Sequence, residues 1–415
     1  GFNLPEGAWD LLLRVWDEAR NFTDSTLDLI IDNTPPAALQ NTGITPDSGI
    51  FAADRITALA DGEHLVFNGT VPETPCRLQI TCRPEGGNPS EPVIMNFAAG
   101  ADADFEVDFG TLDEGRYLVG ILLTDLAGNQ MEQEIAFRID NTPPVIESFD
   151  ITPDLGLSDN DLISNAHDYT AKAQINEIPV QVTLAVNGQP LPPENLEAVG
   201  LFTMDLLDLA EGTHLLTLAV KDYAGNQTTA EKTLKVDRTP PGLCQNLAIE
   251  PDTGTPGDLL TSAREITLTG VLPEIPLQVE LLVNGTSYSV QMFEENTALS
   301  LPVSLTADGA YRLTVRCTDI AGNATDSVLD IQVDSQSPAL PEDLKMIPDT
   351  GIVGDWQTQL PAGEQLTITG TLPEKLLQVR IFRGEQLLAS KDCTGDDQDL
   401  LLAFELAEGR IHNLL

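Results

Sequence analysis

Positive charge, cysteine and aromatic side chains are all scarce in this sequence of 415 residues. It has 21 lysines and arginines against 65 aspartates and glutamates, so its formal net charge is −44. A field of this sign repels phosphate groups, which argues against nucleic acid and anionic membrane surfaces as partners. No run of 18 apolar residues occurs, and we therefore expect no insertion into a membrane.

Motifs for catalysis and for zinc or redox sites are also missing. The five cysteines have no CxxC spacing, and their odd number argues against a disulfide framework. The sequence contains no GxSxG elbow, no HExxH and no glycine-rich phosphate loop. Paired carboxylates recur along the chain, whereas a hydrolase needs one unique pair in one cleft. We predict that the chain is not an enzyme.

What the sequence does contain is an internal repeat. One segment recurs four times, starting at Glu6, Glu114, Glu211 and Asp308. Its copies are EGAWDLLLRVWDEARN, EGRYLVGILLTDLAGN, EGTHLLTLAVKDYAGN and DGAYRLTVRCTDIAGN. Each copy precedes an Asp-rich linker, and each linker precedes a PDSG, PDLG or PDTG segment and an acidic turn such as LPE. The linkers begin at Asp32, Asp140, Asp237 and Asp334, at intervals of 108, 97 and 97 residues.

Within a repeat, apolar residues alternate with a period of two, which is typical of β-strands. Val180, Val182, Leu184 and Val186 follow this pattern and stop at a turn, Asn187-Gly188. About seven such strands fit in each repeat, and no amphipathic helix of useful length is present. We predict an all-β fold of tandem seven-stranded immunoglobulin-like (Ig-like) sandwiches, arranged end to end as a rod.

The linkers divide the chain into five segments. We predict complete Ig-like domains at 37–141, 142–238 and 239–335. Residues 1–36 are predicted to be the C-terminal hairpin and linker of an incomplete domain, and residues 336–415 an incomplete domain without its last strands. The first interpretation is that both ends are cuts within a longer array. The alternative is that the hairpin of one chain completes the last domain of the next.

The repeat also places most of the cysteines. Cys76, Cys82 and Cys317 align with valines of the second predicted domain, Val180, Val186 and Val220, so we expect these three to be small buried hydrophobes. The repeat does not place Cys244 or Cys393, and we expect no pairing among the five. A tyrosine corner is expected before the sixth strand. The residues at this position are Trp9, Tyr117, His214, Tyr311 and Ile411, so we expect the corner to vary.

Antiparallel connectivity predicts which carboxylates meet between domains. If strand A leaves the N-terminal end of a domain, the A–B and E–F loops lie at its far end. They then face the linker and the B–C and F–G turns of the following domain. We call each such meeting place a junction and name it after its linker aspartate.

Four junctions are predicted, and each gathers acidic residues from two domains and a linker. The Asp140 junction has Asp47, Asp54, Glu114, Asp140, Glu177 and Asp222; the Asp237 junction has Asp154, Asp159, Asp161, Glu211, Asp237, Glu274 and Asp319. The Asp334 junction has Asp252, Asp258, Asp308, Asp334 and Glu374; the Asp32 junction has Glu6, Asp32, Glu73 and Asp125.

So many carboxylates repel one another unless a cation lies between them. Calcium accepts about six to eight hard oxygen ligands in flexible geometry, whereas zinc prefers cysteine or histidine. We therefore predict calcium at the domain junctions. Solvated acidic turns stay an open alternative, because PDTG and Asp-x-Ala-Gly-Asn are good turn sequences in their own right. No turn rule requires the second acid of each loop, Asp54, Asp161, Asp258 or Asp355.

The order of these motifs resembles that of tandem bacterial Ig-like domains, which form the stalks of large surface adhesins and biofilm-associated proteins. The resemblance is clearest from Pro251 to Pro338, where Pro-Asp-Thr-Gly, Asp-Gly-x-Tyr and Thr-Asp-x-Ala-Gly-Asn follow one another. It implies rod segments stiffened by calcium at their junctions, with Asp252, Asp258 and Asp334 among the ligands. The sequence departs from the pattern at Arg20, which replaces the turn glycine.

These observations predict a non-catalytic, extracellular structural segment, a calcium-stiffened stalk or spacer of a large bacterial surface adhesin. Its expected partners are neighbouring Ig-like repeats of the same chain. One alternative is a fibre subunit that joins identical chains head to tail by strand donation. Another is a carbohydrate- or protein-binding module, for which only Trp9, Trp16 and Trp356 could supply an indole platform.

Overall fold

The computed structural model describes residues 4–101, 103–198, 200–361, 363–372, 378–393 and 398–405. These residues form 32 β-strands, and none of them lies in a helix long and apolar enough to span a membrane. The chain divides into two compact units, Gly1–Arg238 and Thr239–Leu415.

The first unit begins with a hairpin. Its strands β1 (Gly7–Trp16) and β2 (Phe22–Ile31) pair antiparallel along their whole length. Several large apolar side chains of the hairpin are uncovered, with Leu13 64% and Ile30 75% exposed. Arg20 has a positive φ of 63° in the turn between the two strands, where the other repeats place glycine. That the hairpin belongs to an incomplete Ig-like domain stays a prediction.

The first sandwich extends from β3 to β10. Its strands are β3 (Gln40–Thr45), β4 (Ile56–Thr57), β5 (Val66–Thr70), β6 (Cys76–Pro84), β7 (Val93–Phe97), β8 (Asp104–Asp108), β9 (Gly115–Asp125) and β10 (Gln130–Ile139). One sheet has the order β3-β5-β8 and the other β4-β10-β9-β6-β7. Alternate residues of β9 face inward, as the period of two predicts. The core between the sheets includes Phe67, Leu78 and Ile139, each fully buried.

The second sandwich repeats this arrangement with its own core. Its strands are β11 (Ile146–Thr152), β12 (Ile163–Ser164), β13 (Tyr169–Ile175), β14 (Val180–Val186), β15 (Gln189–Pro190), β16 (Glu194–Leu196), β17 (Leu201–Leu206), β18 (Gly212–Asp222) and β19 (Gln227–Val236). The sheets are β11-β13-β17 and β12-β19-β18-β14-β15, and β16 also pairs with β14. Tyr169, Phe202 and Leu218 fill the centre of the core.

The second unit holds the third and fourth sandwiches. The third has β20 (Gln245–Glu250), β21 (Leu260–Thr261), β22 (Glu265–Val271), β23 (Leu277–Val283), β24 (Thr286–Phe293), β25 (Ala298–Ser304), β26 (Gly309–Thr318) and β27 (Ala324–Val333). Its sheets are β20-β22-β25 and β21-β27-β26-β23-β24. The fourth has β28 (Glu342–Ile347), β29 (Gln365–Thr371), β30 (Gln378–Arg383), β31 (Gln386–Asp392) and β32 (Asp399–Glu405), in sheets β28-β29-β32 and β30-β31.

The all-β sandwich prediction is confirmed, with one change in the first strand. In the first three sandwiches this strand splits into strand A (β3, β11, β20) and a two-residue strand A′ (β4, β12, β21). A pairs with the smaller sheet, whereas A′ pairs in parallel with the last strand of the larger sheet. The acidic loop that the sequence placed between A and B therefore lies between A and A′. We call the segments 46–55, 153–162 and 251–259 the A–A′ loops, with 348–355 as their counterpart in the fourth sandwich.

The corner before the sixth strand is more uniform than its residue types suggested. In each described copy, the side chain donates a hydrogen bond to the carbonyl oxygen four residues upstream. The donors and distances are Trp9 to Pro5 (2.9 Å), Tyr117 to Asp113 (3.0 Å), His214 to Ala210 (2.7 Å) and Tyr311 to Ala307 (2.8 Å). Indole and imidazole thus replace the phenol without loss of the bond. Ile411 lies outside the described residues.

The cysteines of the repeat lie in the cores. Cys76, Cys82 and Cys317 are at most 8% exposed, as predicted. Burial raises the pKa of the Cys82 thiol to about 11, which keeps it unreactive at neutral pH. Cys244, which the repeat did not place, contacts Cys317 with 3.3 Å between the two Sγ atoms, although both thiols are free. The sequence did not predict this contact.

Candidate cation sites at the domain junctions

Each A–A′ loop fixes two aspartates by backbone hydrogen bonds. The first aspartate follows the loop proline, and its Oδ2 accepts an N–H from later in the loop. These bonds join Asp47 to Ala53, Asp154 to Leu162, Asp252 to Gly257 and Asp349 to Gly354, at 2.7–2.9 Å. The second aspartate accepts the N–H two positions on with its Oδ1, at 2.8–3.0 Å. This set is Asp54, Asp161, Asp258 and Asp355.

One oxygen of the first aspartate is left without a partner in all four loops. Among the described residues, the Oδ1 atoms of four aspartates are buried and accept no hydrogen bond: those of Asp47, Asp154, Asp252 and Asp349. The same holds for Oδ2 of Asp54. A buried polar atom without a partner costs about 1–3 kcal/mol, and more when it is charged. The same orphaned atom in four loops indicates a shared structural purpose rather than a local packing fault.

The F–G turn joins the last two strands of a sandwich, β18 and β19 in the second and β26 and β27 in the third. Its aspartate differs from those of the A–A′ loop, because groups of the turn itself donate hydrogen bonds to both carboxylate oxygens. Asp222 is 3% exposed, and its Oδ1 accepts the N–H groups of Gly225 (2.7 Å) and Asn226 (2.9 Å). Its Oδ2 accepts the Asn226 side chain at 2.8 Å. Asp319 makes the equivalent bonds to Asn323 at 2.9 Å. Turn chemistry alone therefore accounts for Asp222 and Asp319, and their role as metal ligands stays an untested prediction.

At the Asp140 junction, the A–A′ loop of the first sandwich meets the F–G turn of the second. Ser48 Oγ donates to the carbonyl oxygen of Ala224 at 2.8 Å, and the Ala58 N–H donates to the same oxygen at 3.1 Å. The rings of Phe51 and Tyr223 meet edge to face with centroids 5.0 Å apart. Within the first unit, the predicted meeting of these two loops is thus confirmed.

Two residues of this junction are needed for the close contact. A Cβ atom on Gly49 would lie 2.0 Å from the carbonyl oxygen of Tyr223, so only glycine fits there. Asn226 Nδ2 donates to the backbone carbonyl oxygen of Asp140 at 2.8 Å, and Asn129 does the same to Asp32 at 3.1 Å. In the sequence, this asparagine is explained by its place in a turn. The signal that this explanation misses is that the Asn recurs in all four turns, next to the predicted position of the linker.

The predicted ligands of the Asp140 junction share one electrostatic environment. A cavity of about 110 Å³ is lined by residues that include Arg138, Asp140, Glu177 and Asp222. The pKa of Glu177 is raised, first by burial and then by the charges of Asp222, Asp140 and Glu114, against the opposing effect of Arg138. Arg138 also forms an ion pair with Asp140 at 2.6 Å.

The first A–A′ loop adds two more carboxylates to this environment. Burial raises the pKa of Asp54, and the neighbouring charge of Asp47 raises it further. The charge of Asp54 in turn raises the pKa of Tyr223, after burial and Glu197. The structure therefore brings the six predicted residues of the Asp140 junction into one region.

The Asp334 junction in the second unit is partly neutralised by its own side chains. Asp308 accepts a hydrogen bond from Ser335 at 2.7 Å and forms an ion pair with Arg264 at 3.0 Å. These contacts lower its pKa, the Ser335 bond first and Arg264 after it, despite desolvation. The Asp334 N–H donates to Thr261 at 2.9 Å. Asp252 and Asp258 lie in the A–A′ loop, and Glu374 lies outside the described residues.

The predicted ligands of the Asp237 junction divide between the units, with Asp154, Asp159, Asp161, Glu211 and Asp237 in the first and Glu274 and Asp319 in the second. Within the first unit, Lys235 Nζ lies 3.2 Å from Asp237 Oδ2. At the Asp32 junction, Thr34 Oγ1 donates to Glu6 at 2.5 Å, while Glu73 is exposed.

These carboxylates are gathered without forming a finished metal site. In the parts of the chain that the structure describes, no group of three or more His, Cys, Asp and Glu side chains is arranged so that it could hold a metal ion. The A–A′ loops nevertheless offer two carboxylates each, with spare buried oxygens. Such a donor set fits a hard cation such as calcium, which can complete its shell with water and backbone carbonyls. The predicted ligands stay predictions.

Comparison with known proteins gives one family match. Residues 240–335 match the model of the family described as bacterial Ig-like domain. No curated protein matches the chain. Similar solved structures include one on host cell surface retention of a 1.5-MDa bacterial ice-binding adhesin, with 18% identity, a TM-score of 0.30, and 73% of this chain and 98% of that chain covered.

Two further solved structures are similar to the same degree. One is a Ca2+-stabilized adhesin that helps an Antarctic bacterium to bind ice (19% identity, TM-score 0.30, 79% of this chain and 82% of that chain covered). The other is a tetra-tandem repeat in the extending region of a large adhesion protein (17% identity, TM-score 0.30, 80% and 83% covered). The resemblance of the sequence to bacterial Ig-like domains is confirmed by the family match over residues 240–335.

Proposed function

We propose that this chain is a structural segment of a large bacterial surface adhesin, a stalk or spacer outside the cell whose sandwiches calcium stabilises. The observation that carries the proposal is the buried Oδ1 atom without a partner in each of the four A–A′ loops. A cation offsets that uncompensated charge, whereas further hydrogen bonds would need donors that the loops do not supply. The repeated sandwiches, with no catalytic motif in the sequence, support a mechanical role.

The A–A′ loops would hold the cation together with acids from the junction. The loop ligands are Asp47 with Asp54, Asp154 with Asp161, and Asp252 with Asp258. Glu177 is the candidate that the following sandwich contributes at the Asp140 junction, and Glu374 is its counterpart in the sequence at the Asp334 junction. Glu114, Glu211 and Asp308 come from the E–F corner, and Asp140, Asp237 and Asp334 from the linkers. When bound, calcium supplies the positive charge that lets these oxygens lie close together.

Ordering of the A–A′ loop is how a cation would stiffen the chain. The loop at 46–55 contacts the F–G turn of the next sandwich through Ser48 and Phe51. The same turn holds the linker through the Asn226 side chain and the Asp140 carbonyl. The two prolines that follow in the linker restrict the backbone further. A rigid loop therefore transmits its order to the linker and to the neighbouring sandwich.

Small-angle scattering in calcium and in excess EDTA tests this proposal. We expect the largest dimension of the chain to be shorter in EDTA, because the junctions regain freedom to bend. The matched variant is Asp47→Asn with Asp54→Asn, which keeps one oxygen of each side chain, replaces the other with an amide nitrogen and removes two charges. It should reduce the effect of calcium at the Asp140 junction. Identical profiles of the unaltered chain in both buffers would contradict the calcium role.

A fibre subunit is a second candidate, and the exposed apolar side chains of the hairpin favour it. Leu13, Trp16 and Ile30 are each more than 60% exposed. In the third sandwich β23 pairs with both β24 and β26, whereas in the described part of the fourth sandwich β30 pairs only with β31. Negative-stain microscopy distinguishes the two functions. Filaments that lengthen with protein concentration would support strand donation, and separate particles would support the stalk.

A further inference from the structure

Two thiols of the third sandwich lie in contact across its two sheets. Cys244 precedes β20, the first strand of the smaller sheet, and Cys317 is in β26 of the larger sheet. Their Sγ atoms are 3.3 Å apart, although the residues are 73 positions apart in sequence. The Cys244 N–H donates to Ser327 Oγ at 2.9 Å, which fixes the backbone beside the pair. The repeat predicted neither the position nor the partner of Cys244.

We propose that Cys244 and Cys317 form a disulfide in an oxidising medium and so staple the start of the third sandwich to its sixth strand. A disulfide needs an S–S distance of about 2.05 Å, so the two sulfur atoms must approach by roughly a further 1.2 Å. A small rotation of the half-buried Cys244 side chain can supply that movement. The bond would restrict the unfolded chain over a long loop, which is the situation in which a disulfide stabilises most.

The surroundings of the two thiols shift their pKa values in opposite directions. Hydrogen bonds from the Cys317 thiol and, to a smaller extent, from Ser327 lower the pKa of Cys244 to about 7, against the effect of burial. The bond between the two thiols and burial raise the pKa of Cys317, which is only 1% exposed. Cys244 is therefore the thiolate that an oxidant can reach, and Cys317 is the resolving thiol.

Oxidation by a small-molecule disulfide balances in two exchange steps. The Cys244 thiolate attacks one sulfur of the oxidant, forms a mixed disulfide and releases the other half as a thiolate. The Cys317 thiol then loses its proton and attacks Cys244 Sγ, which releases the second half. The two cysteines lose two electrons and two protons, and the oxidant becomes two thiols.

Two of the other cysteines, Cys76 and Cys82, provide an internal control. Burial raises the pKa of Cys76 and Cys82, for Cys82 to about 11. Neither is expected to react at neutral pH. That the chain meets an oxidising medium in the cell's surroundings depends on the proposed extracellular function. The ability of the two thiols to pair does not depend on it. A defined redox buffer therefore tests the pairing even if the stalk proposal fails.

The test is a non-reducing peptide map of the full chain after incubation with oxidised glutathione, followed by unfolding in denaturant and alkylation of the remaining thiols. We expect one cross-linked pair of peptides that contains Cys244 and Cys317, and alkylated Cys76 and Cys82. The melting temperature of the third sandwich should rise by at least about 5 °C on oxidation and return with a reductant. The matched variants are Cys244→Ser and Cys317→Val, the latter giving the residue that the second repeat has at this position.

Both variants should abolish the cross-link and the rise in melting temperature, while the reduced proteins should still fold. Three outcomes would overturn the proposal. They are full alkylation of both cysteines after oxidation, glutathione that stays on Cys244, and a cross-link that joins different chains.

Discussion

The A–A′ loops and the F–G turns each have an aspartate that recurs at a fixed position. The two aspartates differ in whether both of their carboxylate oxygens accept hydrogen bonds. In the F–G turn, both oxygens of Asp222 accept hydrogen bonds from the turn itself. In the A–A′ loop, Asp154 uses one oxygen and leaves the other buried without a partner. The turn is complete without a ligand, whereas the loop lacks a positive charge.

Recurrence in the sequence therefore does not by itself identify a metal ligand. In the sequence, the acids of the loop and of the turn recur with the same regularity, and both were predicted to bind calcium. Only the hydrogen bonds that each carboxylate oxygen accepts distinguish the two kinds of aspartate. The loop aspartates keep the stronger case as cation ligands, and Asp222 and Asp319 already have a structural role.

The largest expected effect comes from removal of a turn aspartate in the absence of calcium. In EDTA, Asp222→Ala should lower the free energy of unfolding of the second sandwich by about 2–4 kcal/mol, because several buried donors lose their acceptor. Asp154→Ala in the loop of the same sandwich should change it by no more than about 1 kcal/mol, since it also removes an unpaired charge. Hydrogen exchange of the β18 and β19 amides measures both values.

The comparison would fail if the two alanine variants lost equal stability in EDTA. Asp125→Ala is the matched control for the turn, because Asp125 makes the same bonds to Gly128 and Asn129 in the first sandwich. It should destabilise the first sandwich and leave the second unchanged.

A smaller effect, which changes sign with calcium, is expected for Glu177→Gln. The pKa of Glu177 is raised above its ordinary value of 4.5, so the folded chain binds this proton more tightly than the unfolded chain does. Its contribution to stability is therefore complete below pH 4.5 and is lost as the pH rises through the raised pKa. In EDTA at neutral pH, the glutamine variant should be more stable than the unaltered chain, by less than about 1 kcal/mol.

In saturating calcium the order should reverse, because the variant has lost a ligand. Urea unfolding at pH 4 and pH 7, with calcium and with EDTA, provides the four comparisons. A variant that is less stable in EDTA at pH 7 would show that Glu177 is not in a repulsive environment. Asp150→Asn, on an exposed carboxylate of β11, controls for the change in net charge.

Most of the fold could be predicted because its signals are local and repeated. The period of two in strands such as β14 and the recurring linkers predicted the sandwiches. The split of the first strand could not be predicted, because A′ has only two residues and therefore no periodicity. Its pairing with the last strand depends on hydrogen bonds between residues far apart in sequence, such as Ile56 and Arg138.

The candidate site was predictable in place but not in detail. Alternation of strand direction placed the loop at 46–55 beside the next F–G turn, as the contact of Ser48 with Ala224 confirms. Whether an oxygen is satisfied depends on the path of the loop backbone, which the sequence does not specify. The bond from Asn226 to the linker and the contact of Cys244 with Cys317 were missed for the same reason, since each depends on tertiary packing.

Calorimetric melting of the unaltered chain and of the Asp47→Asn, Asp54→Asn variant, each in calcium and in EDTA, tests the central claim most directly. Calcium that binds only the folded loops, at about 100 times its Kd, should raise the melting temperature of the first sandwich by about 10 °C. The variant should show no such rise for this sandwich. An unaltered chain that melts at the same temperature in calcium and in EDTA would contradict the account.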